Sequence, residues 1–339
     1  MSEEKPSRSF VSAQQVAELA GVSRSAVSRT FTQGASVSDT MRRKVQQAAE
    51  ELGYHVNHLA RSLIQENSRI VCVIGAEINT PYQARMLEAL VRGMQRIGRV
   101  AMVINSAGDR GSAEAALRQT LNYRAKATIV LSGAPPAALV RTCINSGQQV
   151  ILINRDDHLD GPTNVVVDND HAGREAFHML QRAGCRKIAV VSSTAGTPSL
   201  MAREQAFEAA AREAGLGVRI VRPGPTSYAS GFAAGEVLLS GSDRPDGAFC
   251  VTDLLACGFM DAARFEFGID IPGELCVIGF DDIDQASWSS YALTTFRQPV
   301  EDMAGHITSL IGDPAADSAA GQRTCFHALP VWRRSVRPK

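Results

Sequence analysis

The sequence predicts a small all-α head with a hinge helix, joined to an α/β core of two doubly wound parallel-sheet lobes. Three observations predict it. Residues 12 to 52 set apolar side chains at helical spacing in three short segments broken by glycine. From residue 69 short β-branched runs alternate with amphipathic helical stretches, and this cadence runs twice. The 339 residues suffice for two or three domains of roughly 100 to 200 residues, and a 45% hydrophobic composition excludes disorder. Lys plus Arg and Asp plus Glu number 35 each, so the formal net charge is zero and bulk positive charge is excluded as a means of binding.

In the head, Ser12 is placed to cap a helix AQQVAELA whose Val16, Leu19 and Ala20 form an apolar stripe, and Gly21 ends it. Ser23 is placed to cap a second helix, RSAVSRTF, with Val27 and Phe31 inward and Arg24, Ser25, Ser28 and Arg29 outward. A third helix follows Ser38, with Met41, Val45, Ala48 and Leu52 on one face and Gly53 as its stop. Two small helices joined across A-G-V-S make a helix-turn-helix, the motif whose second helix enters the DNA major groove. Residues 22 to 46 carry Arg24, Arg29, Arg42, Arg43 and Lys44 against Asp39 alone, a local net of +4 in a neutral chain. The competing reading is a helical bundle whose outward arginines are merely solvated. Beyond Tyr54, Asn57 can cap a short helix reaching about Ile64. At that length it needs a partner to form, and a plain linker is the alternative.

The runs VSAQQVAELAGVSRSAVSRTFTQ and VSDTMRRKVQQAAEELGYHVNHLARSL closely resemble the DNA-binding head of the lactose-repressor and galactose-repressor family of bacterial transcription regulators, and the resemblance extends over nearly the whole chain. It implies that Arg24, Ser25 and Arg29 read bases, with Arg29 suited to a bidentate contact with guanine. It further implies that Ser12, Ser23, Ser28 and Thr32 hold phosphates, that Asn57 and Ala60 sit in the minor groove, and that Leu63 is an intercalating wedge. Ala13 and Gln14 depart from the lactose repressor's leucine and tyrosine, so the operator sequence does not transfer. The expected divisions are a DNA-binding domain over 10–56, a hinge over 57–67 and a core over 68–339.

Within the core, RIVCVIG, VAMVIN, ATIVLS, QVILIN, NVVVD, KIAVVSS, GVRIV, GAFCVT and LCVIGF read as strands. Near-continuous apolar strands imply parallel sheets covered on both faces, with ligands at the carboxyl ends of the strands. The architecture resembles periplasmic sugar-binding proteins. Crossovers are expected near 164, 292 and 322, giving lobe one as about 68–163 plus 293–322 and lobe two as about 164–292 plus 323–339. The resemblance places Tyr82, Asn154, Arg155, Arg203, Asp253 and Asp281 at an effector between the lobes. Asp253 also fits a helix N-cap, and Asp281 or Asp282 a turn organiser. Arg203 reads as a first-turn helical cation, a position that favours an anion or polyol beside it. Thr252 replaces an asparagine common in the family, and Trp288 fits either a sugar stack or inter-lobe packing. The mixture suits a sugar, sugar acid or small carboxylated metabolite.

No G-x-S-x-G, H-E-x-x-H, P-loop or G-x-G-x-x-G occurs, so no enzyme is expected. His171 and His178 read as one solvated helix face rather than metal ligands, and no metal or cofactor is expected. Seven cysteines without C-x-x-C spacing fit a reducing cytosol. With no apolar leader or membrane-length run, the expected location is cytoplasmic. The expected partners are double-stranded operator DNA, a small-molecule effector and a second copy of the chain. The family's leucine-rich tetramerising extension is missing, so a homodimer is expected rather than a tetramer. The alternative is a cytosolic sugar-binding or sugar-modifying protein of the same core fold.

Overall fold

The computed structural model describes residues 10–32, 34–56, 68–106, 110–132, 135–155, 161–313 and 321–338. It divides into two compact units, residues 1–68 and 69–339.

The first unit contains α1 (Ala13–Ala20), α2 (Arg24–Thr30) and α3 (Asp39–Leu52). Ser12, Ser23 and Ser38 are their N-caps, each accepting a hydrogen bond from a first-turn N–H, and Ser12 and Gln15 close a capping box. Gly21 and Gly53 end α1 and α3 in the left-handed conformation, at φ of 63° and 66°, which glycine adopts without a Cβ penalty. Val16, Val27 and Val45, one from each helix, are fully buried and hold the unit together. Full burial of such a side chain contributes roughly 1.5–3 kcal/mol. Leu19, expected in the apolar stripe, is instead 47% exposed. Val16 and Ala17 already fill the face of α1 that meets the other helices. Asn57, Ala60 and Leu63, with the expected hinge helix, lie outside the described residues.

In the second unit, two parallel sheets carry helices between their strands. The first has the order β11-β5-β4-β3-β1-β2, comprising β1 (Ile70–Gly75), β2 (Val100–Asn105), β3 (Ala127–Val130), β4 (Gln149–Ile153), β5 (Thr163–Val167) and β11 (Arg323–Phe326). The second has the order β7-β6-β8-β9, from β6 (Ile188–Val191), β7 (Val218–Val221), β8 (Gly247–Cys250) and β9 (Cys276–Ile278). Every described pairing within these two sheets is parallel. A short antiparallel pair, β10 (Thr295–Arg297) with β12 (Leu329–Val331), accompanies the crossovers.

β5 and β11 complete the first sheet, so the chain leaves that sheet after Val167 and after Phe326, a few residues beyond the approximate crossovers expected near 164 and 322. All five residues of β5 are buried, and β4 and β11 satisfy its backbone groups on either side. β1, β3, β6, β8 and β9 are buried almost throughout, as sheets covered on both faces require.

Candidate functional site

Two surfaces carry the residues singled out above. On the first unit, the start of α2 presents Arg24, Ser25, Ser28 and Arg29 to solvent, while Ala26, Val27 and Thr30 turn inward. Arg29 Nε donates to the Ser25 carbonyl at 3.4 Å, leaving its guanidinium end outward. Thr32 is half-buried and its hydroxyl donates to the Ser28 carbonyl. Ser12 and Ser23 spend their hydroxyls on caps, so any phosphate there meets first-turn N–H groups as well as side chains. Arg42 reaches back to the Thr30 carbonyl, bracing α2 against α3.

In the second unit a cleft of about 510 Å³ opens between the lobes at the carboxyl ends of the strands. Tyr82 enters it from the first turn of the helix Pro81–Arg96, which follows β1. Asn154 and Arg155 follow β4, and Asp281 follows β9. Arg203 projects from the helix Pro198–Glu213. It is the sixth residue of that helix rather than a first-turn residue, so the helix dipole does little to place it.

Arg203 is held by its neighbours instead. It is 3% exposed, and its Nε donates to Asn169 Oδ1 at 2.8 Å and its Nη1 to the Val251 carbonyl at 2.9 Å. Its guanidinium lies 3.5 Å over the Phe280 ring and its Nη1 3.9 Å from Asp281. Nη2 makes no hydrogen bond within the described residues, and Arg203 lines the cleft, so this nitrogen offers ligand two donors.

A hydrogen-bonded series joins the two walls. Asn154 Nδ2 donates to the Tyr82 hydroxyl at 2.9 Å and to Gln298 Oε1 at 3.3 Å, and Gln298 Nε2 donates to Asp281 Oδ1 at 2.6 Å. Asn154 Oδ1 also accepts from the Val167 N–H at the point where the chain leaves the first sheet. Asn154 has φ 52°, a left-handed value that asparagine tolerates better than most residues. Gln298 and Asn169 escaped the sequence reading. The only signal for Gln298 was an amide immediately before Pro299, at the end of the short T-T-F-R run. Asn169 lay inside D-N-D, which reads as an ordinary helix start.

Burial raises Asp281 to about 6, against the opposing pull of Arg203 and the Gln298 amide. Burial also lowers the Arg203 guanidinium from its ordinary value and, with Asp281, raises the Tyr82 phenol.

Asp253 is a correction. It lies behind the cleft wall, fully buried, accepting from Thr295 Oγ1 at 2.5 Å and from the Ile283 N–H at 2.9 Å. Nor is it the cap of its helix. Thr252 takes that place, accepting from the Leu255 N–H, and it also lines the cleft. Burial first, then repulsion from Asp281, raises the Asp253 carboxyl to about 8, so it is largely protonated at neutral pH. An unfolded aspartate titrates near 3.9. Between about pH 4 and 8 the folded state therefore holds the extra proton, and this group's contribution to stability falls as pH rises through that window. Asp253→Asn should make the decline of the unfolding midpoint between pH 5 and 8 shallower, with the Asp281 part remaining. An unchanged slope would mean that Asp253 is ionised throughout.

Trp288 is 53% exposed and is not among the residues lining the cleft. Both His171 and His178 are exposed on the helix Asn169–Arg182.

Comparison with known proteins gives two family matches. Residues 13–57 match the model described as bacterial regulatory proteins, lacI family, and residues 177–336 match the periplasmic binding protein-like domain. The chain is 28% identical over 299 residues to the HTH-type transcriptional regulator GalR of Escherichia coli (strain K12), covering 87% of this chain and 86% of that one. It is 28% identical over 328 residues to the HTH-type transcriptional repressor PurR of Proteus mirabilis, covering 95% of each. In fold it matches the lac repressor dimer bound to operator and the anti-inducer ONPF, with a TM-score of 0.87 at 20% identity, over 96% of this chain and 99% of that one.

Proposed function

We propose that the chain, whose residues 13–57 match the lacI family model and whose residues 177–336 match the periplasmic binding protein-like domain, is a DNA-binding transcriptional regulator of that family and works as a homodimeric, ligand-responsive repressor. Two heads grip a pseudo-palindromic operator, since two-fold symmetry in the protein is mirrored in the DNA. A small metabolite between the core lobes sets that grip by favouring one lobe arrangement over another.

The observation that carries this reading is the polar series Tyr82–Asn154–Gln298–Asp281, which spans the cleft beside Arg203. A ligand that inserts into this series exchanges hydrogen bonds with both lobes at once. Its binding energy therefore depends on their separation, which is the differential affinity that switching needs. Asn154, Arg155, Arg203, Asp281 and Tyr82 are the proposed effector contacts, and Asp253 is withdrawn from them. Amide, guanidinium and carboxylate groups without a stacking tryptophan suit a sugar, a sugar acid or a small carboxylated metabolite better than a nucleobase. The dimer is supported by the edge strand β2, where Val100 and Val103 are 59% and 41% exposed.

For the head, Arg24, Ser25 and Arg29 are the proposed base readers and Ser12, Ser23, Ser28 and Thr32 the phosphate holders. Asn57, Ala60 and Leu63 are the proposed minor-groove contacts. The test is selection of bound sites from random duplexes. Arg29→Ala should weaken the selected site by about 1–3 kcal/mol and relax one base position in each half-site. An unchanged sequence preference removes Arg29 as a base reader. Failure to select any symmetric site refutes the dimeric operator.

A further inference from the structure

At the amino ends of the strands in the second lobe, opposite the cleft, two thiols meet that the regulatory reading does not use. Cys276 opens β9, and Cys185 lies three residues before β6. In the sheet order β7-β6-β8-β9, β8 runs between them. They meet because Gly247, which begins β8 and pairs with Cys276, has no side chain. A Cβ there would stand 2.9 Å from both Cβ and Sγ of Cys185. With that space open, Cys185 and Cys276 lie on either side of Gly247, and both sulfurs touch one residue, Arg337.

A cation covers the pair. Arg337 Nη2 donates to Cys185 Sγ at 3.3 Å, and the Arg337 backbone N–H donates to Cys276 Sγ at 3.4 Å. The same guanidinium is moored to the carbonyls of Ala183, Pro272 and Gly273. The Asp246 carboxylate, the nearby opposing charge, is occupied by the backbone N–H groups of Arg186 and Lys187, while its carbonyl accepts from Cys185. The Cys276 thiol donates to the Pro272 carbonyl at 3.8 Å, and the closeness of the two thiols lowers Cys276 and raises Cys185, which burial raises further.

We propose that Cys185 and Cys276 are an oxidative modification site, a dithiol that hydroperoxides convert to a disulfide. In the reaction the Cys276 thiolate attacks a peroxide oxygen, the S–O bond forms, the O–O bond breaks and hydroxide leaves, to be protonated to water. Cys185 sulfur then displaces the hydroxyl of the Cys276 sulfenic acid. The S–S bond forms, the S–O bond breaks, and a second water carries away the Cys185 proton. Two thiols and one hydrogen peroxide thus give one disulfide and two waters. Both sulfurs are buried, and access requires the Arg337 side chain to release its three carbonyls, a local motion that leaves the sheet intact. A dithiol of this kind in a reducing compartment senses oxidant rather than stapling the fold.

The experiment uses the full chain treated with graded hydrogen peroxide, blocked with N-ethylmaleimide and mapped by non-reducing mass spectrometry. The expected product is a linked pair of peptides carrying Cys185 and Cys276 that rises with peroxide and reverts with dithiothreitol. If both remain free thiols at a dose that fully oxidises the exposed Cys325, the proposal is overturned. Cys185→Ser should raise dimedone capture at Cys276 at least tenfold, because the resolving thiol is gone, whereas Cys276→Ser should leave Cys185 unlabelled. Capture at Cys185 instead would reverse, and so overturn, the assigned roles. The wild-type mapping needs no variant to fold.

Discussion

Arg203→Ala should abolish the response to ligand while leaving the head's intrinsic grip on DNA intact. The guanidinium is fixed by Asn169, Val251 and the face of Phe280, and its Nη2, without a hydrogen bond among the described residues, is the proposed donor to an oxygen of the ligand. A charged hydrogen bond of that kind contributes about 1.5–3 kcal/mol. Its removal also strands Asp281, already raised to about 6 by burial, without its cation. Losing one partner of a buried pair costs about 3–5 kcal/mol, part of which appears as lower stability and part as disorder in the cleft. The expected loss of ligand affinity is about ten- to a hundredfold, at roughly 1.4 kcal/mol per factor of ten. A metabolite screen by thermal shift on the wild type identifies the ligand, since binding the folded state raises its midpoint. The variant's shift with that ligand is then the readout. Full retention of the shift would place the effector elsewhere, and loss of operator binding without ligand would mean that Arg203 supports the fold rather than the switch.

The largest stability effect is expected at two glycines where two helices of the second lobe cross. The helices Tyr228–Leu239 and Asp253–Asp261 cross at Gly231 and Gly258. A methyl added at Gly231 would overlap the Leu255 carbonyl, and one at Gly258 would overlap the Tyr228 carbonyl. Helix propensity pulls the other way, favouring alanine by about 1 kcal/mol. Backbone carbonyls cannot swing aside as a long side chain can, so the helices must separate and the packing beneath them opens. Overpacking of that type costs typically about 1–3 kcal/mol and sometimes more. Here the obstacle on both sides is main chain, and a net loss of about 3 kcal/mol or more is expected for Gly231→Ala. Urea unfolding of the core measures it directly. A stabilised variant would show that propensity wins and that the helices stand further apart.

Much of the fold was legible because its signals are local. Ser12, Ser23 and Ser38 cap helices whose first turns lie within three residues of them, and Gly21 and Gly53 mark ends by a single residue's conformation. The core strands appear as apolar runs for the same reason. The candidate cleft was legible only in part. Tyr82, Asn154, Arg155 and Asp281 reach it from strand ends and a helix start, and Arg203 from the second turn of its helix. Asp253 has the same local setting as Asp281, yet it turns behind the wall to Thr295 and Ile283. No pattern within a few residues separates the two. That choice depends on partners 30 and 42 residues away.

The sequence alone therefore determined the two-part plan, the basic face of α2 and the parallel lobes, since periodicity, capping and charge are written along the chain. Only the tertiary structure decided which carboxylate meets the cleft, that Gln298 bridges the lobes, that β5 belongs to the first sheet, and that Cys185 meets Cys276 across Gly247. Each of these rests on contacts between distant segments, where the space a neighbour leaves and the hydrogen bonds it offers fix the outcome.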